Sequence, residues 1–263
     1  MNNSSSLRVG IKSTVAVLAL AAVVWIVYGL PLQRQPAGPP EKLTLAVNSS
    51  YIGTGLVFVA LDRHYFETVG LHVTIQPYSS GRDALAAVLE GKADIATAAE
   101  TPIMFAAVRG QPIAIIATIA TSRREHGIVA RRDRGISTDA DLKGKKVATT
   151  TGTTAHYLLE AALLGSKLRS EDVQIVSADP PQIVEAIASG SVDAISTWEP
   201  FVTRARQALG KEGVVLDAEG IYVSTFNLAG QRTFIKQHPV MMQKLLQAMV
   251  RAEQFASEKP AEK

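Results

Sequence analysis

Two stretches of this chain repeat each other at a constant offset of 99 positions, and that repeat constrains the fold more than any other feature. The first runs Ala86-Ala-Val-Leu-Glu-Gly-Lys-Ala-Asp-Ile-Ala-Thr-Ala-Ala-Glu-Thr-Pro102, the second Glu185-Ala-Ile-Ala-Ser-Gly-Ser-Val-Asp-Ala-Ile-Ser-Thr-Trp-Glu-Pro200. Gly91, Asp94 and Glu100 correspond to Gly190, Asp193 and Glu199. Each copy reads as an apolar helix ended by Gly, a short turn with Asp, a strand, and a polar residue with Pro opening the next helix. One unit used twice suggests two similar lobes, and two facing lobes suggest a cleft.

The rest of the chain extends this pattern. Residues 43–47 alternate as a strand, and 56–66 carry helical apolar spacing at Val57, Ala60, Leu61 and Tyr65. Further strands are expected at 71–75, 93–97, 146–149, 173–176, 192–196 and 214–216. Helices are expected from Gly81 to Leu89 and over 102–108, 153–164, 181–188 and 201–209. The unbroken apolar run 113–119 reads as a strand buried on both faces. Regular alternation of strand and helix predicts an α/β protein whose sheets are mostly parallel and covered by helices. Residues 123–132 read as a charged connection between the halves and 222–230 as a second crossing, so the pair would act as a hinge.

Charge and composition bound the function. The chain carries 27 Lys and Arg against 24 Asp and Glu, and 47% of its residues are hydrophobic, enough for a sizeable core. Arg8, Lys12 and Arg34 lie in the first 40 residues, which hold no acid, so the remainder is neutral. A neutral remainder argues against nucleic-acid binding. The absence of cysteine excludes disulfides and thiolate chemistry.

Residues 13–30 are 18 positions without a charge. At ~1.5 Å per helical residue they would span roughly 27 Å, close to a hydrocarbon core. Arg8 and Lys12 before the run keep residues 1–12 in the cytoplasm, and Trp25 and Tyr28 suit the outer interface. A cleaved signal peptide would have a shorter apolar region and a small-x-small site after it. The run instead continues to Leu30-Pro-Leu32, so 13–32 reads as an uncleaved signal anchor. Residues 33–41 form a Pro-rich, semi-rigid spacer. Anchor and cleaved peptide alike would export the remainder of the chain.

Ligands of such sheets collect beyond the carboxyl ends of the strands. That rule selects Ser50 and Tyr51, then Ser79, Ser80 and Gly81, Glu100 and Thr101, Thr151 to His156, and Trp198 with Glu199. Thr151-Gly152-Thr153-Thr154 opens a helix with free N–H groups and hydroxyls, which suits an anion or an ordinary Thr N-cap. Two cleft carboxylates, Glu100 and Glu199, would repel a simple anion and favour a ligand with a cationic or donor-rich end. Each equally suits a cap on the helix that it precedes.

Taken together, the repeated Gly-x-x-Asp strands, the segment Lys143-Gly-Lys-Lys-Val-Ala-Thr-Thr-Thr-Gly-Thr-Thr-Ala-His-Tyr-Leu-Leu159 and Trp198-Glu-Pro-Phe201 resemble the nitrate/sulfonate/taurine substrate-binding proteins of ABC transporters. The resemblance covers residues 43–255. It implies a two-lobed periplasmic-binding-protein-like fold, with lobe 1 from 42–124 and 225–263 and lobe 2 from 125–224. It also implies an outward-facing protein that hands a small solute to an inner-membrane ABC permease; a monomer is expected, and the anchor read at 13–32 departs from most such proteins, which are soluble or lipid-anchored. The ligand-binding residues carried over by motif are Ser50, Tyr51, Ser79, Ser80, Gly81, Glu100, Thr101, Gly152, Thr153, Thr154, His156, Trp198 and Glu199, to which the helix-start argument adds Thr151. Members of this family usually continue past position 263.

No catalytic group, metal site or cofactor is expected. Gly-x-Ser-x-Gly is absent, Gly152-Thr-Thr lacks the Lys of a phosphate loop, and His64, His72, His126, His156 and His238 are scattered without zinc-ligand spacing. The alternatives are an anchored ligand sensor and an enzyme of the pyrimidine-synthase-like branch of the fold.

Overall fold

The computed structural model describes residues 39–216 and 222–258. The expected membrane anchor at 13–32 and residues 33–38 of the spacer lie outside the described residues. Among the described residues no helix is long and apolar enough to cross a membrane.

Ten strands follow in chain order: β1 Glu41–Asn48, β2 Leu71–Tyr78, β3 Ile95–Ala99, β4 Ile113–Ser122, β5 His126–Arg131, β6 Lys146–Thr149, β7 Gln174–Ser177, β8 Ala194–Trp198, β9 Gly213–Leu216 and β10 Ser224–Gln231. Nine α-helices accompany them among the described residues: α1 Gly55–Asp62, α2 Tyr65–Thr68, α3 Gly81–Leu89, α4 Glu100–Val108, α5 Thr154–Gly165, α6 Pro180–Ala188, α7 Phe201–Leu209, α8 Arg232–Gln237 and α9 Pro239–Glu258.

The strands form two five-stranded sheets, ordered β2-β1-β3-β10-β4 and β7-β6-β8-β5-β9. Pairing is parallel among β2, β1 and β3 and among β7, β6 and β8, while β10 and β5 run antiparallel to both neighbours. Four strands of each sheet therefore point one way and the fifth points back. That fifth strand is the one the chain enters just after leaving the other sheet. The two lobes share one topology and exchange a strand through two crossings.

The repeat has a physical explanation here. Gly91 and Gly190 adopt φ of 73° and 75°, the left-handed turn that closes a helix and that a side chain disfavours. A few residues on, the Asp carboxylate bonds the neighbouring strand. Asp94 Oδ2 accepts the Thr44 N–H at 2.8 Å and Asp193 Oδ2 accepts the Lys146 N–H at 2.9 Å. Backbone bonds return from Asp94 to Thr44 and from Asp193 to Lys146. The recurring Asp thus fixes the entry of a strand into its sheet and lies far from the strand tips that face the cleft.

Three expectations need correction. Residues 113–119 belong to an edge strand, not one buried on both faces: Ile115 is 49% exposed, while Ile116 and Ile119 pack on the core. One apolar face suffices to recruit β-branched residues, so an unbroken run does not prove two-sided burial. Residues 123–132 contain a central strand, β5, whose Gly127, Ile128, Val129 and Ala130 are buried; flanking arginines mask it in composition. Residues 222–230 likewise hold β10, the antiparallel strand of the first sheet.

Each sheet packs helices on both faces. On the first, α9 lays Met241, Met242, Leu245, Ala248, Met249 and Ala252 against α1 and the sheet. Their spacing by three and four places them on one stripe.

Candidate functional site

The tips of β1, β3 and β8 and the starts of α3 and α5 line a small cavity of about 30 Å³ between the lobes. Its lining is Asn48, Tyr51, Gly81, Arg82, Ala99, Pro102, Glu125, His126, Thr153, Thr154, Trp198 and Phe226. Of the residues selected from sequence, Tyr51, Gly81, Thr153, Thr154 and Trp198 come together here.

Each is held by local chemistry. Gly81 opens α3 where a Cβ would stand 2.9 Å from Ala98 Cα, so the helix start can approach β3 only with glycine. Ser80 is the α3 N-cap: its hydroxyl accepts the Asp83 N–H at 3.2 Å, as a cap should. Thr153 is not a side-chain cap of α5, because its hydroxyl donates to the Thr150 carbonyl at 2.7 Å. The first-turn N–H groups of this 12-residue helix begin at the cavity wall, where a helix dipole favours negative charge.

Arg82 was not selected from sequence. Its Nη1 donates across the cleft to the Thr151 carbonyl at 2.6 Å, while Nε and Nη2 hold Asp83 at 2.9 and 2.8 Å. It gives the cavity a cation beside the α5 start. Nothing in sequence distinguishes it from a surface helix residue.

The opposite wall is aromatic. Tyr51 meets Phe226 edge-on with centroids 4.5 Å apart, and Trp198 lies edge-on to Phe201 and His126 at 6.1 and 6.4 Å. Trp198 is buried, and its Nε1 has no hydrogen-bond partner. A buried N–H without an acceptor is costly, and here it belongs to a residue lining a cavity.

Glu125 is the carboxyl that lines this space, and it too was missed. It accepts hydrogen bonds from the Tyr51 hydroxyl in lobe 1 and from the Ser224 hydroxyl on the second crossing. Burial pushes its pKa up, against those two hydrogen bonds, with the nearby Glu100 charge adding to the rise. Burial also raises the Tyr51 hydroxyl, helped by Glu125, so Tyr51 remains the donor. His126 Nδ1 lies 3.4 Å from Glu125 Oε1, yet burial lowers the imidazole pKa to about 4, leaving it neutral near pH 7.

The remaining sequence-selected residues surround the cavity without lining it. Ser50 donates its N–H to Asn48 Oδ1 at 3.1 Å, and Ser79 reaches Asp83 at 3.5 Å. Thr151, Gly152 and His156 form an adjoining groove with Arg82. His156 Nδ1 accepts the Gly152 N–H at 3.3 Å, and its Nε2 lies 3.4 Å from Glu160.

The pair of acidic residues behaves differently from the cleft reading. Glu199 accepts the Thr203 N–H at 3.2 Å and the Thr203 hydroxyl at 2.9 Å, the capping role. Glu100 accepts from the Thr225 N–H at 2.6 Å, the Thr225, Thr101 and Thr154 hydroxyls, and the Tyr222 hydroxyl. Burial alone would raise its pKa, but the bonds from Tyr222, Thr225 and Thr101 outweigh it and hold the carboxyl low. Two oxygens offer about four acceptor sites, and Glu100 has filled them with protein donors. It fastens α4, the second crossing and α5 together.

Two lobes of one topology, joined by two crossings and facing each other across a cavity at their strand ends, define the solute-binding class of fold. Comparisons agree. The chain matches the alkanesulfonate-binding protein SsuA from Xanthomonas axonopodis pv. citri bound to MOPS with a TM-score of 0.73 at 22% identity, over 86% of this chain and 77% of that one. It matches the periplasmic nitrate-binding protein NrtA from Synechocystis PCC 6803 with a TM-score of 0.67 at 16% identity, over 82% and 62%. In sequence it is 25% identical over 215 residues to a putative binding protein of Brucella abortus (strain 2308), covering 81% of this chain and 66% of the relative. It is 27% identical to the taurine-binding periplasmic protein of Escherichia coli (strain K12), covering 73% and 60%. The chain therefore spans somewhat less than two thirds of the length of these curated relatives. Residues 53–263 match the NMT1/THI5 like family, and the chain belongs to that family.

Proposed function

We propose that this chain is the solute-binding component of an ABC importer, and that it captures a small organic anion, a sulfonate before a nitrate, between its lobes. The observation that carries the reading is the polarity of the cavity. At one end the α5 start and the Arg82 guanidinium favour an oxyanion. At the other, Tyr51, Trp198 and Phe226 offer apolar surface beside the Glu125 carboxyl. A ligand with an oxyanion head and an organic body satisfies both; a body ending in an amine also answers Glu125. Glu125 thus takes the part that sequence reasoning gave to Glu100 and Glu199. Its relatives support the same reading, since they include the taurine-binding periplasmic protein and a putative aliphatic sulfonates-binding protein of Escherichia coli (strain K12).

On this reading lobe 1 comprises 42–124 and 225–263, lobe 2 comprises 125–224, and binding closes them by rotation about the crossings. Residues 13–32 anchor the protein in the inner membrane and 33–41 hold the binding unit outside it as a monomer, beside the permease that receives the solute. No covalent step is involved.

Thermal unfolding of the chain with ethanesulfonate, taurine, nitrate, small carboxylates and pyrimidines tests the proposal. Stabilisation by a sulfonate with no change in the ligand supports it. No stabilisation by any anion, with chemical conversion of a pyrimidine, replaces it with an enzyme.

A further inference from the structure

Outside the interlobe cavity, arginines gather in one place. Most arginines of the described residues have a fixed partner: Arg82 holds Asp83, Arg131 holds Asp133, Arg169 holds Glu171, Arg232 bonds the Ile113 carbonyl, and Arg251 lies over Tyr65. Among the described residues, Arg109, Arg123, Arg132 and Arg206 have a guanidinium with no hydrogen-bonded, ionic or ring partner. All but Arg109 line a single groove on lobe 2, and Arg124 lines it with them.

Three separate elements supply these side chains. Arg123 and Arg124 stand on the first crossing, Arg132 just past β5 and Arg206 on α7. Edge strand β9, Gly213–Leu216, completes the wall. Among the described residues Glu199 is the single acid that lines the groove, and its carboxylate is engaged by Thr203. His126 is neutral near pH 7. Among the described residues, three arginines without a partner, Arg123, Arg132 and Arg206, thus face one committed negative charge. Composition does not account for such a concentration, and mutual repulsion disfavours it unless an anion is present.

The geometry points to a second binding site in this groove, for a small oxyanion carrying two or more negative charges. Guanidinium groups match phosphate and carboxylate oxygens with paired N–H donors, and several arginines around one groove suit clustered charge over a single one. The site is separate from the cavity proposed for the transported solute. It shares only His126 with that cavity, and none of its arginines lines the cavity. Since Arg123 and Arg124 lie on the crossing, an anion held there also sits against the hinge.

Isothermal titration of the full chain with pyrophosphate decides the matter, with orthophosphate, citrate and nitrate as comparators. Saturable binding of pyrophosphate or citrate is expected, with weaker orthophosphate, no detectable nitrate, and affinity falling as NaCl rises. Arg123→Ala with Arg206→Ala is expected to weaken it by at least ~10-fold, and Arg132→Ala alone to weaken it as well. Arg109→Ala is expected to bind as wild type. These side chains are exposed, so unchanged melting of each variant verifies that the fold persists. Absence of saturable binding by both polyanions overturns the proposal. So does equal affinity in the double variant, or displacement of pyrophosphate by ethanesulfonate, which would move binding into the interlobe cavity.

Discussion

Thr101 and Thr154 are 53 positions apart, on helices that belong to different lobes, and their hydroxyl oxygens lie 3.0 Å from each other. Both also reach Glu100 Oε1, at 3.0 and 3.2 Å. One half-buried carboxylate thereby organises a hydroxyl from each side of the cleft. The contact joins the lobes in the arrangement seen here and makes α5 part of the lobe 1 surface.

Thr154→Val keeps the shape of the side chain and removes its hydroxyl. Glu100 loses one donor and the cleft loses one bridge, and a buried hydrogen bond contributes about 0.5–1.5 kcal/mol. Urea unfolding should report a loss near that size. Sulfonate affinity should fall by roughly 5-fold because the bridged state is less favoured. Unchanged stability and unchanged affinity together would remove this contact from lobe closure.

The paired aspartates behave as structural residues. Asp94→Ala and Asp193→Ala each leave a strand N–H, of Thr44 or Lys146, without its acceptor. Each is expected to cost about 1–3 kcal/mol in denaturant unfolding and to leave ligand affinity within about 2-fold of wild type. Selective loss of binding by either variant would contradict the assignment.

That pair also shows what was legible in the chain. The repeat announced two similar lobes because a helix must end at a left-handed glycine before a strand begins, and glycine at 91 and 190 satisfies that requirement. Its third matched position misled: Glu100 and Glu199 align in sequence, yet one binds the crossing and the other its own helix. Tyr51, Thr153, Thr154 and Trp198 were accessible from sequence, since strand-end loops are where an α/β sheet gathers polar and aromatic groups. Arg82 and Glu125 were not. Their roles arise from the approach of two lobes, and local pattern carries no record of a partner about 70 positions away, the separation of Arg82 from Thr151 and of Tyr51 from Glu125. The strand β5 was hidden for a related reason, because its four buried residues sit between charged flanks.

Acid should loosen the hinge through His126. Burial lowers its pKa to about 4 from an ordinary 6.5, so the unfolded chain binds a proton before the folded one does. Stability is therefore complete above about pH 6.5 and is lost as pH falls toward 4, by up to roughly 3 kcal/mol. Glu100, held low by its donors, adds a loss of the same sign further into acid. Glu125, raised by burial, contributes with the opposite sign. Unfolding free energies of wild type and His126→Gln between pH 7 and pH 4 should diverge in slope, the variant being flatter. Parallel slopes would show that His126 titrates in the folded state as freely as in the unfolded one.

Glu125 should set preference between ligands that differ in charge at the far end. Glu125→Gln retains the size of the group and removes its charge. Because Tyr51 and Ser224 both donate to the carboxylate, some general loss of stability accompanies the change. The ratio of affinities is insensitive to that loss. Taurine, with an ammonium, should weaken by about 10-fold relative to ethanesulfonate, the ~1.4 kcal/mol expected when a charge-assisted contact becomes a neutral one. A ratio equal to that of wild type would place the amine elsewhere.

Arg82 supplies the cation of the cavity, and its replacement separates binding from folding. Its side chain is about one-third exposed, at 36%. Its ion pair with Asp83 therefore contributes at most about 1 kcal/mol. The bond to the Thr151 carbonyl crosses the cleft, so it stabilises closure more than it stabilises either lobe. Arg82→Gln should accordingly melt within a few degrees of wild type. It should also lose about 10–100-fold in sulfonate affinity, since hydrogen bonds to charged groups contribute about 1.5–3 kcal/mol. Arg82→Lys restores charge without the paired donors and should recover only part of the loss. Titration calorimetry with ethanesulfonate on the three proteins orders them as wild type, Lys, then Gln. Equal affinities in all three would leave the start of α5 as the sole anion-binding element of the cleft.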